Sequence, residues 1–371
     1  MKDIEEFQKI FKVNFPVTEH YQYYLDTMMK SEFYAGVGVL VKEYEQYERD
    51  VEELGYKSAR SYKLDYALPR LKEFILASEP FKNMMEWEMP DKPRTKDTLK
   101  NNDDTYLISI DFKSANYSAL KTFDSFGVLG DSWEGFCMSM DVHPTLSKSK
   151  SFRQFVFGNT NPKRLQRRQH VNITKIVDRL IEGHDFEEDD FVFISHDEFI
   201  VRLRPDHALA VGRVSILLTA VGNIIENESI DMPTHYKVLK NSSIVKGGKP
   251  LKQARIQTHY QVKMGGLSEK YDTLYSVPGD KFFKYFKEYI LKEPFDKRDL
   301  MFMSNGDIAV WAEGEDSIAE MIFPDGELSY AELEEQYPDL IKKLHKEVDG
   351  LNDPQVRKIA NIALEFSYKG Y

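Results

Sequence analysis

Three carboxylates occupy positions that folding alone does not ask for. Asp197 and Glu198 belong to the polar tip Ser195 to Glu198 of Phe191-Val-Phe-Ile-Ser-His-Asp-Glu-Phe-Ile-Val-Arg-Leu203. The two flanking apolar, β-branched and aromatic runs predict strands, and their spacing predicts a tight hairpin. Such tips normally carry Gly or Asn, which relieve backbone strain, whereas adjacent carboxylates repel each other. A bound cation is a natural reason for them; the bland reading is a solvated turn. The third carboxylate is Asp111, which ends a buried strand predicted from Tyr106, Leu107, Ile108 and Ile110 and precedes a helix-compatible stretch to Leu120. A charge at the end of a buried strand belongs at the rim of a sheet, where ligands bind in α/β architectures. Two strands that each deliver an Asp to one rim make the minimum site for two divalent ions about 3.5–4 Å apart. Such a pair activates a 3′-hydroxyl and stabilises the leaving pyrophosphate in phosphoryl transfer.

The elements that must position these residues can be traced along the chain. Residues 1–88 read as helical, with Thr18 and Ser58 as N-caps and Pro69 dividing or kinking a helix over residues 64–76. Residues 89–104 are polar, carry Pro90 and Pro93, and are the expected domain boundary. Residues 105–230 then form the expected core. Within it, Asn161-Pro162 opens a helix to about Glu182 whose buried stripe is Leu165, Ile173, Ile176, Val177 and Leu180. A further helix is expected from about Pro205 to Glu226. Residues 231–327 form a basic, β-rich region: strands with a Gly247-Gly248 turn over 235–264, a short helix over 282–290, and a hairpin at Asn305-Gly306. Residues 328–371 read as two helices, one opened by Ser329 with Glu332 and one by Asp353-Pro354.

Composition bounds the function. The 371 residues hold 61 Asp and Glu against 50 Lys and Arg, a net charge of −11, which argues against a general nucleic-acid binder. The single cysteine, Cys137, excludes an internal disulfide and fits a reducing compartment. No apolar run reaches the roughly 18 residues of a membrane span, so a soluble, cytoplasmic protein without membrane partners is expected. The charge distribution says more than its sum. Residues 142–177 contain no acid and eight bases: Lys148, Lys150, Arg153, Lys163, Arg164, Arg167, Arg168 and Lys175. Residues 232–267 again lack acid and carry Lys237, Lys240, Lys246, Lys249, Lys252, Arg255 and Lys263. Such windows suit phosphate-backbone contact, and Lys163, Arg164, Arg167, Arg168, Lys237, Lys240, Lys246, Lys249 and Lys252 are the candidates; solvated faces are the alternative.

Asp111-Phe-Lys-Ser resembles motif A of nucleic-acid polymerase palms, and His196-Asp197-Glu198 resembles motif C of family A DNA polymerases; single-subunit phage RNA polymerases carry a similar His-Asp pair. Met140-Asp141-Val142-His143 is similar to the Asp-Ile-His element of family A. Motif B is partial: Arg153 precedes Phe157-Gly158 by the family's interval, but Ser149 stands in place of an Arg and Asn161-Pro162 in place of Tyr-Gly. The 86 positions between Asp111 and Asp197 are nearer to reverse transcriptases and viral RNA-dependent polymerases. The likeness covers roughly residues 105–230. It implies an α+β fold with a polymerase-like palm, an antiparallel sheet with packed helices, joined to a helical N-terminal region and a mixed C-terminal region placed like a thumb. It also implies a phage or mobile-element nucleotidyltransferase using two Mg²⁺ or Mn²⁺ ions, acting on primer-template and nucleoside triphosphates, with accessory subunits as further candidate partners. Asp111, Asp197 and the carbonyl of Phe112 would hold the metals and Glu198 would be an outer ligand. Lys150 and Arg153 would neutralise the triphosphate, Phe157 would cover the base, and Asn116 or Tyr117 would sense the sugar.

Two other classes use the same residues. One is a non-catalytic nucleic-acid-binding protein on a degenerate palm. The other is an HD-type metal phosphohydrolase built on His184-Asp185 and His196-Asp197, whose ligands normally sit on helices. A zinc site lacks ligand spacing, and Cys137 sits among apolar and aromatic residues that favour burial over nucleophilic chemistry. Tyr21, Tyr23 and Tyr24 are expected to pack helices rather than stack bases.

Overall fold

The computed structural model describes residues 1–91, 93–99, 104–203, 207–246, 249–263, 266–304, 307–312 and 318–322. The chain divides into two compact units: Met1–Val13 with Thr27–Ser276, and Asn14–Asp26 with Val277–Tyr371. The helices in chain order are α1 (Ile4–Phe11), α2 (Tyr21–Met28), α3 (Val37–Glu53), α4 (Ala59–Ser61), α5 (Leu68–Ala77), α6 (Glu79–Glu86), α7 (Ala115–Lys121), α8 (Trp133–Ser139), α9 (Pro144–Lys148), α10 (Lys150–Gly158), α11 (Pro162–Gly183), α12 (His207–Asn227) and α13 (Phe282–Tyr285). The strands are β1 (Lys96–Asp97), β2 (Tyr106–Phe112), β3 (Phe191–Ile194), β4 (Glu198–Arg202), β5 (Thr234–Lys246), β6 (Lys249–Lys263), β7 (Gly266–Tyr275), β8 (Met301–Ser304), β9 (Asp307–Trp311) and β10 (Ile318–Ile322). Among the described residues no helix is long and apolar enough to cross a membrane.

The first unit is built on a seven-stranded sheet of order β1-β3-β4-β2-β5-β6-β7, every pair antiparallel. Its middle is two interlocked split βαβ units. The chain leaves β2, runs through α7 to α11 and returns as β3, with β4 filling the gap; it then leaves β4 through α12 and returns as β5 on the far side of β2. Strand β2 is therefore central, and its burial on both faces follows. One face carries Ile108, Ile110 and Phe112 beside Phe199, Val201 and Val238; the other carries Leu107 and Ser109 beside Ile200 and Leu239. Leu107, Val192, Ile200 and Leu239 form one cluster, against which Leu99 and Phe193 pack.

Local sequence explains the supporting helices. Ser58 caps α4 reciprocally with Ser61. Residues 62–67 widen to a π-turn just before Pro69, and this turn accommodates the missing N–H without ending the helix. The α11 stripe is buried at Leu165, Ile173, Ile176, Val177 and Leu180, joined by Gln169 and Asn172. Asn161 occupies the N-cap position, but at φ 57° its side chain makes no cap bond. Thr18 is the first residue of a short 3₁₀ turn rather than its cap.

The expected boundary at 89–104 does not divide the units. Lys96–Asp97 pairs with β3 and adds an edge strand, so this segment lies inside the first unit, and the division falls at Ser276–Val277. In the second unit β8, β9 and β10 form an antiparallel sheet, and Ser304 pairs with Asp307 as the hairpin reading required, with Asn305 and Gly306 themselves outside the described residues. Tyr24 packs on Phe283 at 4.3 Å between ring centroids, a core role rather than base stacking. The helices expected over 328–371 lie outside the described residues.

Candidate active site

Register brings the carboxylates together. Asp111 pairs directly with Glu198 on β4 and with His235 on β5, so the three side chains share one face of the sheet. The hairpin tip is drawn in by two backbone bonds: Ser195 N–H donates to the Glu198 carbonyl and Phe112 N–H to the Asp197 carbonyl, each at 2.9 Å. Asp197 therefore sits against the end of β2. Immediately beyond, Ser114 adopts a left-handed φ of 48°, which turns the chain abruptly from β2 into α7. A non-glycine residue held there stores strain of about 1 kcal/mol or more.

Each carboxylate is only partly satisfied. Ser109 Oγ donates to Glu198 Oε1 at 2.6 Å. His235 Nε2 approaches Asp111 Oδ1 at 2.8 Å without hydrogen-bond geometry, and that buried oxygen has no donor; His235 Nδ1 is likewise unpaired. Burial is the main cause that pushes the Asp111 carboxyl up to about 6; the Asp197 charge adds to it, and Lys237 and Lys150 oppose it. Burial also raises Glu198, against the Ser109 hydrogen bond and with the Asp111 and Asp197 charges. Burial, Lys237, Lys113 and Lys150 all lower His235, so its ring is neutral at pH 7 and supplies no counter-charge to Asp111. The rim thus gathers carboxylates within electrostatic reach of Lys237 and Lys150, with Lys113 acting on His235.

The structure sorts the sequence candidates. Lys150, at the exposed start of α10, acts electrostatically on Asp111 and His235, as does Lys237, one same-face position from His235 on β5. Arg153 is not among the charges that act on Asp111 or His235: it is half-buried, and its titratable neighbours include Glu134 and Cys137. Phe157 is fully buried against Trp133 at 5.6 Å, so its ring is closed to a base. Tyr117 is buried too and donates to the Leu129 carbonyl at 2.7 Å. Asn116 is half-buried and accepts from Gln169 Nε2 at 2.7 Å, which makes it the more accessible of the two sugar-sensing candidates. Phe112 is buried as the last residue of β2.

The basic helix is divided between structure and surface. Arg164 donates to the carbonyls of Met84 and Trp87 at the end of α6. Arg168 donates to Thr122 Oγ1 at 3.0 Å and lies over Trp87 and Phe123. Both guanidinium groups are spent on packing. Lys163 and Arg167 instead line a cavity of about 560 Å³ beside the hairpin tip, with Lys96, His170, Ser195 and His196. Lys240 faces Asp104 at 3.7 Å, and Lys246 ends β5; Lys249 and Lys252 lie on β6, but their side chains are outside the described residues. His143 is tied to Asp50 at 3.1 Å and stacks near Tyr47, and Asp141 pairs with Arg70 at 2.9 Å, so the element over 140–143 joins helices. His184 lines a different pocket, with Arg179 and Glu228, while His196-Asp197 lies between two strands. The two His-Asp pairs do not converge.

Sequence reasoning missed His235, Ser109 and Lys113. The alternation of His235 and Lys237 in a β-rich stretch was the available signal for the first. The donor set is of the right chemical type for hard divalent cations, which take oxygen ligands; Asp111 Oδ1 has no donor, but His235 Nε2 stands 2.8 Å from it, so a cation at that oxygen would need the ring to move aside. Among the described residues, no group of three or more His, Cys, Asp or Glu side chains is arranged so that it could hold a metal ion. Asp111 and Glu198 each turn one oxygen to a neighbouring side chain, His235 and Ser109. Compared with protein-family models, with curated proteins and with solved structures, the chain finds no match.

Proposed function

We propose that the chain is a template-directed nucleotidyltransferase that extends a primer with nucleoside triphosphates. The observation that carries this reading is the β2–β4 register, which sets Asp111 directly against Glu198, with Asp197 beside the end of the same strand. Asp111 and Asp197 would hold two divalent ions, with Glu198 behind them. Bound there, such a pair supplies activation of the 3′-hydroxyl and charge stabilisation of the leaving pyrophosphate. The protein's own contributions are distinct. Ser109 orients Glu198, His235 stands beside Asp111 without neutralising it, and Lys150, Lys237 and Lys113 supply the positive field that phosphates require.

Primer extension on a labelled duplex with Mg²⁺ or Mn²⁺, and either dNTPs or NTPs, tests the reading. Wild type should extend, and Asp197→Ala should lose at least about a thousandfold, because a ligand of both ions is gone. Equal extension by the variant overturns the catalytic assignment. If neither protein extends but both bind primer-template with steep salt dependence, the chain is a binding module instead.

A further inference from the structure

The face of the sheet that bears the carboxylates continues past β5 onto β6 and β7, and there its character changes. Leu239 pairs with His259, and His259 pairs with Tyr271, so these two rings lie on the same face as Asp111, His235 and Lys237. Their centroids are 4.7 Å apart. Phe33, from the segment before α3, completes the group: its ring lies 5.0 Å from Tyr271 and 6.4 Å from His259, nearly parallel to the latter at 15°. This is not a closed core. Phe33 is 43% exposed, and His259 and Tyr271 are each partly exposed. Cations border it. Exposed Lys270 holds its Nζ 5.4 Å from the Tyr271 ring centre, and Lys237 lies close enough to depress His259, whose imidazole burial and these lysines bring down to about 4. His259 is therefore an uncharged aromatic ring at neutral pH. Two strand spacings and four residues along β5 separate Asp111 from His259, roughly 15–20 Å.

We infer that Phe33, His259 and Tyr271 form a stacking shelf for unpaired bases of a single-stranded nucleic acid, with Lys270 and Lys237 on its phosphates. Aromatic rings flanked by lysines are the sequence-tolerant way to hold single strands, because every base presents a π-face and every linkage a charge. An acidic peptide would use the lysines but leave three rings without purpose. Naming the strand as template ahead of the catalytic rim rests on the polymerase reading; binding to the shelf does not.

Fluorescence anisotropy with labelled oligothymidylate, single-stranded and then annealed to its complement, tests the inference without any catalysis. Phe33→Leu keeps an apolar side chain on the sheet but removes the ring, and should weaken single-strand binding roughly tenfold while barely changing duplex binding. Lys270→Gln, a surface change, should lower the slope of log K against log salt by about 0.7. Wild-type affinity and salt slope in both shelf variants overturn the shelf, as does equal loss on strand and duplex, or no single-strand binding by wild type. Strand binding that depends on Phe33 in a protein that never extends a primer keeps the shelf and removes the polymerase reading.

Discussion

Two aspartates, one in each compact unit, show how differently a fold can treat the same side chain: Asp299 is fully buried and Asp111 half-buried. Asp299 in the second unit is 1% exposed, yet both its oxygens have donors. Tyr23 O–H donates to Oδ1 at 2.8 Å, the Asp296 N–H donates to Oδ2 at 2.7 Å within a reciprocal cap, and Lys287 Nζ lies at 3.9 Å. Asp111 in the first unit is less deeply buried, yet its Oδ1 has no donor and its nearest ring is neutral. Burial raises both carboxyls. The difference lies in partners: Asp299 is held by a complete set of them, whereas Asp111 is kept in a position that costs stability and leaves an oxygen without a donor. Satisfied buried charges serve the fold, and an unsatisfied one at a rim with perturbed ionisation is a candidate for chemistry, as the proposed function has it.

Exchanging the side chains tests this contrast most sharply. Asp111→Asn should reduce primer extension by about a thousandfold or more, roughly 4 kcal/mol of transition-state stabilisation, while the protein folds normally. Asp299→Ala should do the reverse. Removing it takes one carboxylate from Lys287, which keeps Glu293 and the Tyr23 ring, and removes the acceptor of the Tyr23 O–H and the Asp296 N–H, a loss of about 2–4 kcal/mol read as a lowered denaturant midpoint with unchanged slope. If Asp299→Ala is as stable as wild type, the partner argument fails for both residues.

How much of this was legible beforehand depended on whether a residue's role is local. The α11 stripe is set by periodicity, and the structure places it as read; the hairpin and the β2 run also form, but Glu198 opens β4 instead of belonging to the tip, and β2 continues one residue past Asp111 to Phe112, because Glu198 pairs with Asp111. Roles fixed by distant packing were not legible. Phe157 and Arg153 have the spacing of a nucleotide-binding helix, but their neighbourhood is decided by α8, through Trp133 and Glu134. Arg164 and Arg168 look like backbone contacts in a basic window, and only the fold shows them occupied by α6, the α6-proximal Trp87, and Phe123. For His235 the alternation with Lys237 pointed to a strand face and no more, because its importance lies in a register with Asp111 across 124 positions of chain. Residues 14–26 belong with the second unit for the same kind of reason, since Tyr23 and Tyr24 find their partners beyond residue 280.

The smallest expected effect is the one that isolates Asp111 from its surroundings. Its folded pKa, about 6, stands above the roughly 3.9 of an unfolded chain, so the native state binds this proton more tightly. Stability from this group is therefore fully present below about pH 4 and is lost as pH rises through about 6. Asn cannot ionise, so Asp111→Asn should match wild type near pH 4 and become more stable by about 1–2 kcal/mol at pH 7, a discounted figure for a side chain 26% exposed. Glu198 shifts in the same direction in both proteins and largely cancels from the difference, apart from its coupling to Asp111. Chemical denaturation at four or five pH values measures the gap. Millimolar Mg²⁺ at pH 7 should then close it by raising wild type alone, because a cation that binds the native carboxylates stabilises by mass action and the Asn variant has lost a ligand. A gap absent at every pH would place Asp111 with Asp299 among satisfied charges, and a gap that Mg²⁺ leaves untouched would separate its strain from any role in holding a metal.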